Sequence, residues 1–338
     1  MHENTLKFYK YVPVKKSIYQ GKFCRVPFTT LQIDEDGDVL LCGCSLHMPY
    51  TIGNIYQNSL KEIWLGEPAT RVRQAVADGD FTYCNWECTA LLNLQNRPTV
   101  IPSVLDFPSN IIINMDRSCN LKCPSCREDV IMEKNSLKIS KQIEMFAEIK
   151  QWALDNPHKE INITPMAQGD VFASHSGLKF LKSLVNYPGN NLKLEIITNG
   201  TLINHNRELL LDIKHLLKSF SISLDAATPE TYALVRGGNW QELMVGLEFL
   251  YNTLRLPIKL NFCIQKNNWH EIEQFADFAA KFEARVGYQK LQDFGHWTIK
   301  WWREQSIFDR TQPSFNSALK TLELVNQKYP NKIGLPLI

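Results

Sequence analysis

The chain has 338 residues, of which 44% are hydrophobic, so its length predicts roughly two domains with a sizeable core. Its formal net charge of +2 is close to balance and indicates no nucleic-acid or other polyanionic partner. It has no run of about 18 apolar residues, and its first 22 residues lack the apolar core of a signal peptide, so the sequence predicts neither a membrane-spanning helix nor export.

The cysteines are concentrated near the front of the chain. Eight of the nine lie within the first 126 residues, and only Cys263 lies beyond them. Without an export signal, this content favours a reducing cytoplasm and metal sites over disulfides. The close spacings within 84–88 and 119–126 favour two metal centres over scattered core thiols. Cys263 lies in an apolar stretch and is interpreted as a core thiol.

A hairpin is the first predicted element. Residues 29–33 read as a strand, 34–38 as a tight turn, and 39–41 as the returning strand. Cys24 is followed after 12 residues by a glycine and after four more by Cys42. The hairpin therefore brings these two cysteines close together.

Two short helices and a cysteine pair follow the hairpin. Ser59 is suited to cap the first helix, with Glu62 three residues later as in a capping box. The second helix is predicted over residues 69–77, and Cys84 and Cys88 come after it. This arrangement resembles the SPASM or twitch extension of the radical S-adenosylmethionine (SAM) enzymes, although that extension normally follows the catalytic barrel and carries more cysteines.

The resemblance implies an auxiliary iron–sulfur centre in this region. Cys24, Cys42, Cys84 and Cys88 suffice to ligate one 4Fe–4S cluster fully, and Cys44 is an alternative to Cys42. A structural zinc held by the same four thiolates is the competing interpretation.

The next motif has three cysteines with three and then two residues between them, Cys119, Cys123 and Cys126. Three thiolates on one tight loop can hold three irons of a 4Fe–4S cluster and leave the fourth iron open to a small molecule. The spacing resembles the signature of the radical SAM superfamily. Zinc with a distant fourth ligand is the alternative for this run taken alone.

Strand and helix patterns then alternate up to about residue 297. The predicted strands are 111–113, 160–165, 192–198, 219–224, 258–264 and 288–291; the predicted helices are 140–155, 177–186, 204–217 capped by Asn204, one beginning at Thr228-Pro229, 240–254 and 270–282. This alternation predicts an α/β fold with parallel strands. About six units fit, and the resemblance implies the partial (β/α)6, TIM-like radical SAM barrel with a small N-terminal α+β SPASM or twitch domain.

Polar residues follow successive predicted strands, where ligands of such sheets bind. The resemblance assigns them to SAM: Gln168, Gly169 and Asp170 to its amino group, Asn199 at the third strand end, Ser223 and Asp225 to its ribose, and Arg236 to its carboxylate. Asp170 is one methylene shorter than the glutamate usual in the family. Ser125 stands where the family usually has an aromatic residue near the adenine.

The implied chemistry is reductive cleavage of SAM to a 5′-deoxyadenosyl radical, which removes a hydrogen atom from an unactivated carbon. The cofactors implied are the three-cysteine 4Fe–4S cluster, one auxiliary 4Fe–4S cluster and SAM. SPASM-type enzymes act mostly on ribosomally made peptides, so a peptide substrate is expected, with cross-linking, epimerisation or tyrosine-excising splicing as the reaction. The expected partners are a flavodoxin- or ferredoxin-type reductase and, because residues 1–21 are too short for a peptide-binding winged helix, a separate leader-peptide recognition protein.

Two rival functions share these residues. One is a radical SAM dehydrogenase or epimerase of a sugar or other small molecule, and the other is a non-catalytic metal-binding scaffold.

The predicted domains are 1–100 (auxiliary cluster), 101–297 (barrel) and 298–338 (aromatic lid and helix). The aromatic residues around this boundary include Trp297, Trp301 and Arg303, and they are interpreted either as a substrate wall or as a lid packed on the barrel. A closing helix is predicted over residues 315–329.

Overall fold

The computed structural model describes residues 13–14, 19, 21–44, 47–86, 88, 91, 94–114, 116–166, 168–292, 297–330 and 332–334. The chain forms two compact units. The first comprises Met1–Arg117, Glu133–Gln168 and His175–Leu194, and the second comprises Ser118–Met132, Gly169–Ser174 and Glu195–Ile338. In the residues described, every helix is too short or too polar to span a lipid bilayer.

The first unit contains short elements followed by longer strand–helix pairs. In chain order these are β1 (Lys22–Phe23), α1 (Val26–Thr29), β2 (Thr30–Ile33), β3 (Asp38–Leu40), β4 (Gly53–Asn54), α2 (Leu60–Leu65), α3 (Glu67–Ala77), β5 (Gln95–Asn96), β6 (Asn110–Asn114), α4 (Ser136–Asp155), β7 (Ile161–Met166) and α5 (His175–Lys182). β8 (Leu192–Thr198) begins in this unit and ends in the second.

The predicted hairpin is confirmed. β2 and β3 pair antiparallel, with Gln32 opposite Leu40 and Ile33 opposite Val39. β2 also pairs parallel with β6, and β6 pairs parallel with β7. The hairpin therefore extends a parallel sheet instead of forming a separate one.

The predicted capping box at the start of α2 is also confirmed. The Ser59 hydroxyl accepts from the Glu62 backbone N–H at 3.3 Å, and Glu62 accepts from the Ser59 N–H at 2.9 Å. Glu148 accepts the next two free N–H groups, those of Leu60 and Lys61. The carboxylate of α4 thus completes the N-terminal hydrogen bonds of α2, because helix N-termini leave donors that need partners.

The second unit is a succession of parallel strands and helices. In chain order these are α6 (Arg207–Asp212), β9 (Leu217–Ser223), α7 (Pro229–Val235), α8 (Trp240–Phe249), β10 (Ile258–Ile264), α9 (Ile272–Ala280), β11 (Arg285–Lys290), α10 (Ile299–Gln305), α11 (Phe315–Lys328) and β12 (Ile333–Gly334). β10 pairs parallel with both β9 and β11, and β12, which the sequence did not predict, pairs parallel with β11.

Alternation along β10 separates a helix-facing side from the opposite side. Leu260, Phe262 and Ile264 are fully buried, and the Phe262 ring packs on Phe275 of α9 at 4.6 Å between centroids. In the second unit β9, β10 and β11 follow one another in the sheet as they do in the chain, and in the first unit β6 and β7 do the same. The predicted α/β class with a parallel sheet is confirmed.

Two predicted helices were too long. Residues 204–217 form a 3-10 turn (Asn204–Asn206), α6 and another 3-10 turn (Lys214–Leu216), and Asn204 lies inside the first turn instead of capping a helix. α5 ends at Lys182, where the Ser183 hydroxyl donates back to the Phe180 carbonyl at 2.8 Å and competes with helix continuation.

Candidate active site

The three-cysteine loop belongs entirely to the second unit. The Cys119 N–H donates to the Ile131 carbonyl at 2.9 Å, and the Cys126 N–H donates to the Cys123 carbonyl at 2.8 Å. These bonds close the loop at its base and form a tight turn around its last two cysteines. Cys119 and Cys123 are buried, and Cys126 is exposed.

The surroundings of the thiols differ along the loop. Burial raises the pKa of the Cys119 and Cys123 thiols, and the nearby charge of Arg236 opposes the rise in both. The Arg127 side chain donates to the Cys126 sulfur at 3.5 Å. Because metal ligands must be thiolates, Arg236 favours the ligating form of Cys119 and Cys123, and Arg127 favours that of Cys119.

The donor set fits an iron–sulfur cluster. It consists of soft sulfur ligands on one short loop, two buried and one at the surface. Among the described residues, no three His, Cys, Asp or Glu side chains converge on a single ion. A cubane cluster does not require such convergence, because each thiolate binds a different iron.

Gly169 brings a neighbouring segment against the base of this loop. A Cβ at this position would lie 2.0 Å from the Ser118 carbonyl oxygen and 2.9 Å from the Cys119 Cβ. The next residue, Asp170, donates its N–H to the same Ser118 carbonyl at 2.8 Å. Only a residue without a side chain allows this backbone approach.

We therefore expect Gly169→Ala to displace the loop, because the clash is with backbone and not with a flexible side chain. Stability should fall by about 1–3 kcal/mol, as for overpacked sites, and the iron bound at the three-cysteine loop should decrease. Iron analysis and thermal unfolding of anaerobically purified protein measure both. Gly334→Ala is the matched control, since its nearest contact would be an ordinary 3.5 Å; equal behaviour of the two variants would contradict the prediction.

Asp170 is completely buried, and both of its carboxylate oxygens are occupied. One accepts from the Thr198 hydroxyl at 2.6 Å and the Asn199 N–H at 2.7 Å, and the other accepts from the Phe172 N–H at 2.9 Å. Burial raises its pKa, and these hydrogen bonds counteract the rise. The carboxylate thus ties its own segment to the end of β8, and its predicted contact with the SAM amino group stays a prediction.

A ring of hydrogen bonds joins the cysteine loop to the residues after β8. Asn199 donates to the Asn120 side chain at 2.9 Å, Asn120 donates to the Thr201 hydroxyl at 2.9 Å, and that hydroxyl contacts the Asn199 side-chain oxygen at 2.6 Å. Asn199 also lies 3.9 Å from the Cys119 sulfur. Asn120 and Thr201 were not among the predicted site residues. Gln168 was among the predicted site residues. It is exposed, and it is the last residue of the Glu133–Gln168 segment of the first unit.

A buried ion pair lies after β9. Arg236 contacts the Asp225 carboxylate at 3.1 Å, and the other Asp225 oxygen accepts the Cys263 N–H at 2.7 Å. Asp225 has a left-handed backbone (φ 61°), which Asp tolerates better than most residues. Ser223 ends β9 and is half-buried.

The Arg236 guanidinium is not fully used by this pair. Its Nε is buried and has no hydrogen-bond partner. Burial opposes its charge, but Cys123 and Asp225 hold the Arg236 pKa above its usual value. An unpaired donor and a positive charge beside the cysteine loop fit the predicted partner, a carboxylate.

Tyr232 is a residue near this loop that the sequence did not reveal. Its side chain is fully buried, and its hydroxyl has no hydrogen-bond partner. A Cβ on Gly238 would lie 2.7 Å from that hydroxyl and 3.2 Å from Leu121, so the tyrosine reaches toward the cysteine loop. On the sequence it is indistinguishable from an ordinary core residue of α7.

The other five front cysteines line one cavity of about 320 Å3 in the first unit. They are Cys24, Cys42, Cys44, Cys84 and Cys88. Burial raises the pKa of Cys42 to about 12, and mutual repulsion with Cys88, Cys44 and Cys24 adds to the rise. Five thiols lining one cavity, together with apolar side chains such as Met48 and Phe81, fit a metal cluster whose irons are ligated by different cysteines.

The aromatic tail is described only in part. Residues 293–296, which belong to this predicted wall, lie outside the described residues. Trp297 and Trp301 pack on each other with 4.9 Å between ring centroids, and the indole N–H groups of Trp297 and Trp302 are buried without a hydrogen-bond partner. Their predicted contact with substrate stays a prediction.

Two family models match the chain. The SPASM iron–sulfur cluster-binding domain matches residues 24–89, and the radical SAM superfamily matches residues 113–279. The chain belongs to the radical SAM superfamily. It is an enzyme of the 4Fe–4S, SAM-dependent kind, and its SPASM-type region precedes the radical SAM region.

The matches to curated relatives span only part of the length of those proteins. The chain is 26% identical over 174 residues to a probable GTP 3′,8-cyclase of Methanococcus aeolicus, covering 50% of this chain and 54% of that protein. It is 25% identical over 216 residues to GTP 3′,8-cyclase of Listeria monocytogenes, covering 62% and 61%. The chain thus spans about half to three fifths of the length of these relatives.

Solved structures are more distant. Streptococcus suis SuiB bound to the precursor peptide SuiA aligns with a TM-score of 0.47 and 14% identity, covering 80% of this chain and 62% of that chain. A radical SAM methyltransferase from Sphaerobacter thermophilus aligns with a TM-score of 0.41 and 12% identity, covering 65% and 63%.

Proposed function

We propose that this radical SAM enzyme modifies a ribosomally synthesised peptide, by cross-linking, epimerisation or backbone splicing such as excision of a tyrosine-derived fragment. The observation that carries the proposal is the set of five cysteines around one cavity within the SPASM-matched residues. Enzymes with this extension act mostly on such peptides. A cavity with enough thiols to ligate every iron of one auxiliary cluster leaves no iron for a substrate, so that cluster is suited to electron transfer.

In this proposal Cys119, Cys123 and Cys126 hold the cluster that binds SAM, and Cys24, Cys42, Cys84 and Cys88 hold one auxiliary cluster, with Cys44 as the alternative to Cys42. The clusters supply the electron chemistry when bound. The chain's own task is to orient SAM and to exclude water. The unpaired Nε of Arg236 supports its assignment to the methionine carboxylate of SAM.

The proposed partners follow from this chemistry. A flavodoxin- or ferredoxin-type reductase supplies the electron in the cytoplasm, and a separate protein recognises the leader segment of the peptide. Gln168, Gly169, Asp170, Asn199, Ser223 and Asp225 are proposed to line the SAM site, Asp170 and Asn199 through their positions beside the cysteine loop.

A nucleotide is the second candidate substrate, because the curated relatives are named GTP 3′,8-cyclases. A radical SAM enzyme acting on a sugar or another small molecule needs the same SAM residues. The radical SAM match favours an enzyme over the third candidate, a non-catalytic metal-binding scaffold.

The test compares these substrates directly. Reconstituted protein with SAM and dithionite is incubated with a pool of synthetic peptides, with GTP, or with neither, and both 5′-deoxyadenosine and substrate masses are measured. We expect a mass change in peptide and enhanced 5′-deoxyadenosine formation with the pool. A mass change in GTP alone would contradict the peptide proposal in favour of the second candidate.

A further inference from the structure

The side of β9 to β11 that faces away from the helices is polar. Its members alternate with the buried core residues along each strand: Ser219, Ser221 and Ser223 on β9, Lys259, Asn261 and Cys263 on β10, and Arg285, Gly287 and Gln289 on β11. The inner face of a closed barrel is normally filled by bulky branched side chains. A face made of serine, amide, lysine and glycine is instead suited to bind a polar molecule.

Asn261 is a buried member of this face whose side-chain oxygen has no hydrogen-bond partner. It is 9% exposed, and its amide nitrogen donates to the Ser221 hydroxyl at 2.7 Å. That bond fixes the amide, so its oxygen points the other way. The oxygen is buried and accepts no hydrogen bond. Unpaired buried acceptors cost stability unless a ligand or water supplies a donor.

Gly287 stands opposite Asn261 in the parallel register and creates a gap beside it. A Cβ on this glycine would lie 2.9 Å from the Asn261 side-chain oxygen, 2.5 Å from the Lys259 Cε and 3.0 Å from the Lys259 ammonium nitrogen. The acceptor and the cation therefore surround the same point on β11. Lys259 is exposed, so its ammonium is open to a ligand.

We propose that Asn261 and Lys259 bind an amide group of the substrate, with Asn261 accepting its N–H and Lys259 donating to its C=O. The inference rests on the proposed peptide substrate and deepens it. In an extended peptide the N–H and C=O of one residue point to the same edge, as they do in an antiparallel strand pair. One acceptor and one donor around a shared point match such an edge.

A guanine base also carries an N–H next to a C=O, so the same pair could be met by GTP. The two sources share the amide chemistry and differ in what surrounds it. GTP therefore serves as the second probe in the test, beside the peptides.

Four variants separate binding from folding. Asn261→Ala removes the acceptor, and Asn261→Asp keeps an oxygen in its place. Lys259→Met removes the donor but keeps the apolar stem, and Gly287→Ala fills the gap against Lys259 and Asn261. Asn252→Ala, an exposed position of the same unit, is the control.

The probe is a pool of synthetic eight-residue peptides, blocked at both ends and together containing every residue type, supplied at concentrations high enough to replace leader recognition, with GTP tested in parallel. Wild-type protein identifies which members it alters, and KM and kcat are then measured for those members with each variant. We expect Asn261→Ala and Lys259→Met each to raise KM for the peptide by about tenfold, the loss of one hydrogen bond, with a smaller effect on kcat. Asn261→Asp should restore most of the affinity, whereas a purely structural asparagine would not produce this split.

The outcomes are distinct. If the peptide is modified and its KM is unchanged in Asn261→Ala and Lys259→Met, the amide site is overturned. The proposed function then still stands. Modification of GTP alone, with KM for GTP raised in the variants, overturns the peptide source and the proposed function while supporting amide binding. If wild type alters neither probe, both the amide site and the peptide proposal fail.

Discussion

Replacing Cys119, Cys123 or Cys126 by alanine should reduce reductive SAM cleavage to background. Each thiolate holds a different iron in the cluster that these residues are proposed to bind, so no neighbouring sulfur can replace it. The expected measurement is 5′-deoxyadenosine formation by anaerobically reconstituted protein with SAM and dithionite. Iron content should fall by about one cluster, because the five cysteines of the other cavity remain.

The control for this prediction lies inside the same loop. Lys122 is exposed between the first two cysteines, and Lys122→Ala should cleave SAM like the wild type. Spectra of the iron–sulfur centres separate the two sites: the cysteine-loop variants should retain the auxiliary signal, and Cys84→Ala should lose it. Undiminished 5′-deoxyadenosine formation in Cys119→Ala would remove the basis for the assignment of this loop. Zinc in place of iron in the carefully reconstituted loop would do the same.

Arg236→Met should destabilise the protein by about 3–5 kcal/mol, since removing one partner leaves the other charge buried and uncompensated. The partner is Asp225, whose side chain is 7% exposed and whose pKa burial already raises. Urea unfolding without SAM measures the loss. The same variant should bind SAM at least about tenfold more weakly if the guanidinium holds the carboxylate, which equilibrium binding to the reconstituted protein measures.

Two further variants make this prediction specific. Combining Asp225→Asn with Arg236→Met removes both charges and keeps a residue that tolerates the left-handed backbone, so part of the lost stability should return. Arg71→Met breaks an exposed pair with Glu67 and should leave stability almost unchanged, because water screens that pair. A loss in Arg236→Met no larger than in Arg71→Met would show that the buried pair contributes little.

Local patterns predicted the front of the molecule well. The two strands on either side of residues 34–38 could be predicted from strand-like segments separated by turn-forming residues. The capping box could be predicted from Ser59 and Glu62 at the right spacing. These features depend on hydrogen bonds within a few residues, so the sequence around them is sufficient. The predicted domain boundaries stay predictions, and the compact units interleave segments of the chain in a way that local patterns do not express.

Helix lengths were less predictable. Asn204 is a residue type that often caps helices, but the chain turns there as a 3-10 segment. The helix predicted over residues 240–254 does reach Leu254, with its last turn π-helical from Leu250. Such endings depend on packing and on the start of the following strand, since intrinsic propensities are weak compared with tertiary contacts. The short β12 depends on pairing with β11 and has no sequence pattern of its own.

By itself, the sequence determined that three cysteines share one loop, that others close around a hairpin, and that polar residues follow successive strands, because spacing along the chain fixes what neighbouring residues can reach. Only the tertiary structure decided how each polar group is used. It engaged both oxygens of Asp170, paired Asp225 with Arg236 and left the Asn261 oxygen without a donor. These differences arise because a buried polar group takes its partner from whichever segment folding brings within hydrogen-bond distance, however far away it is in sequence.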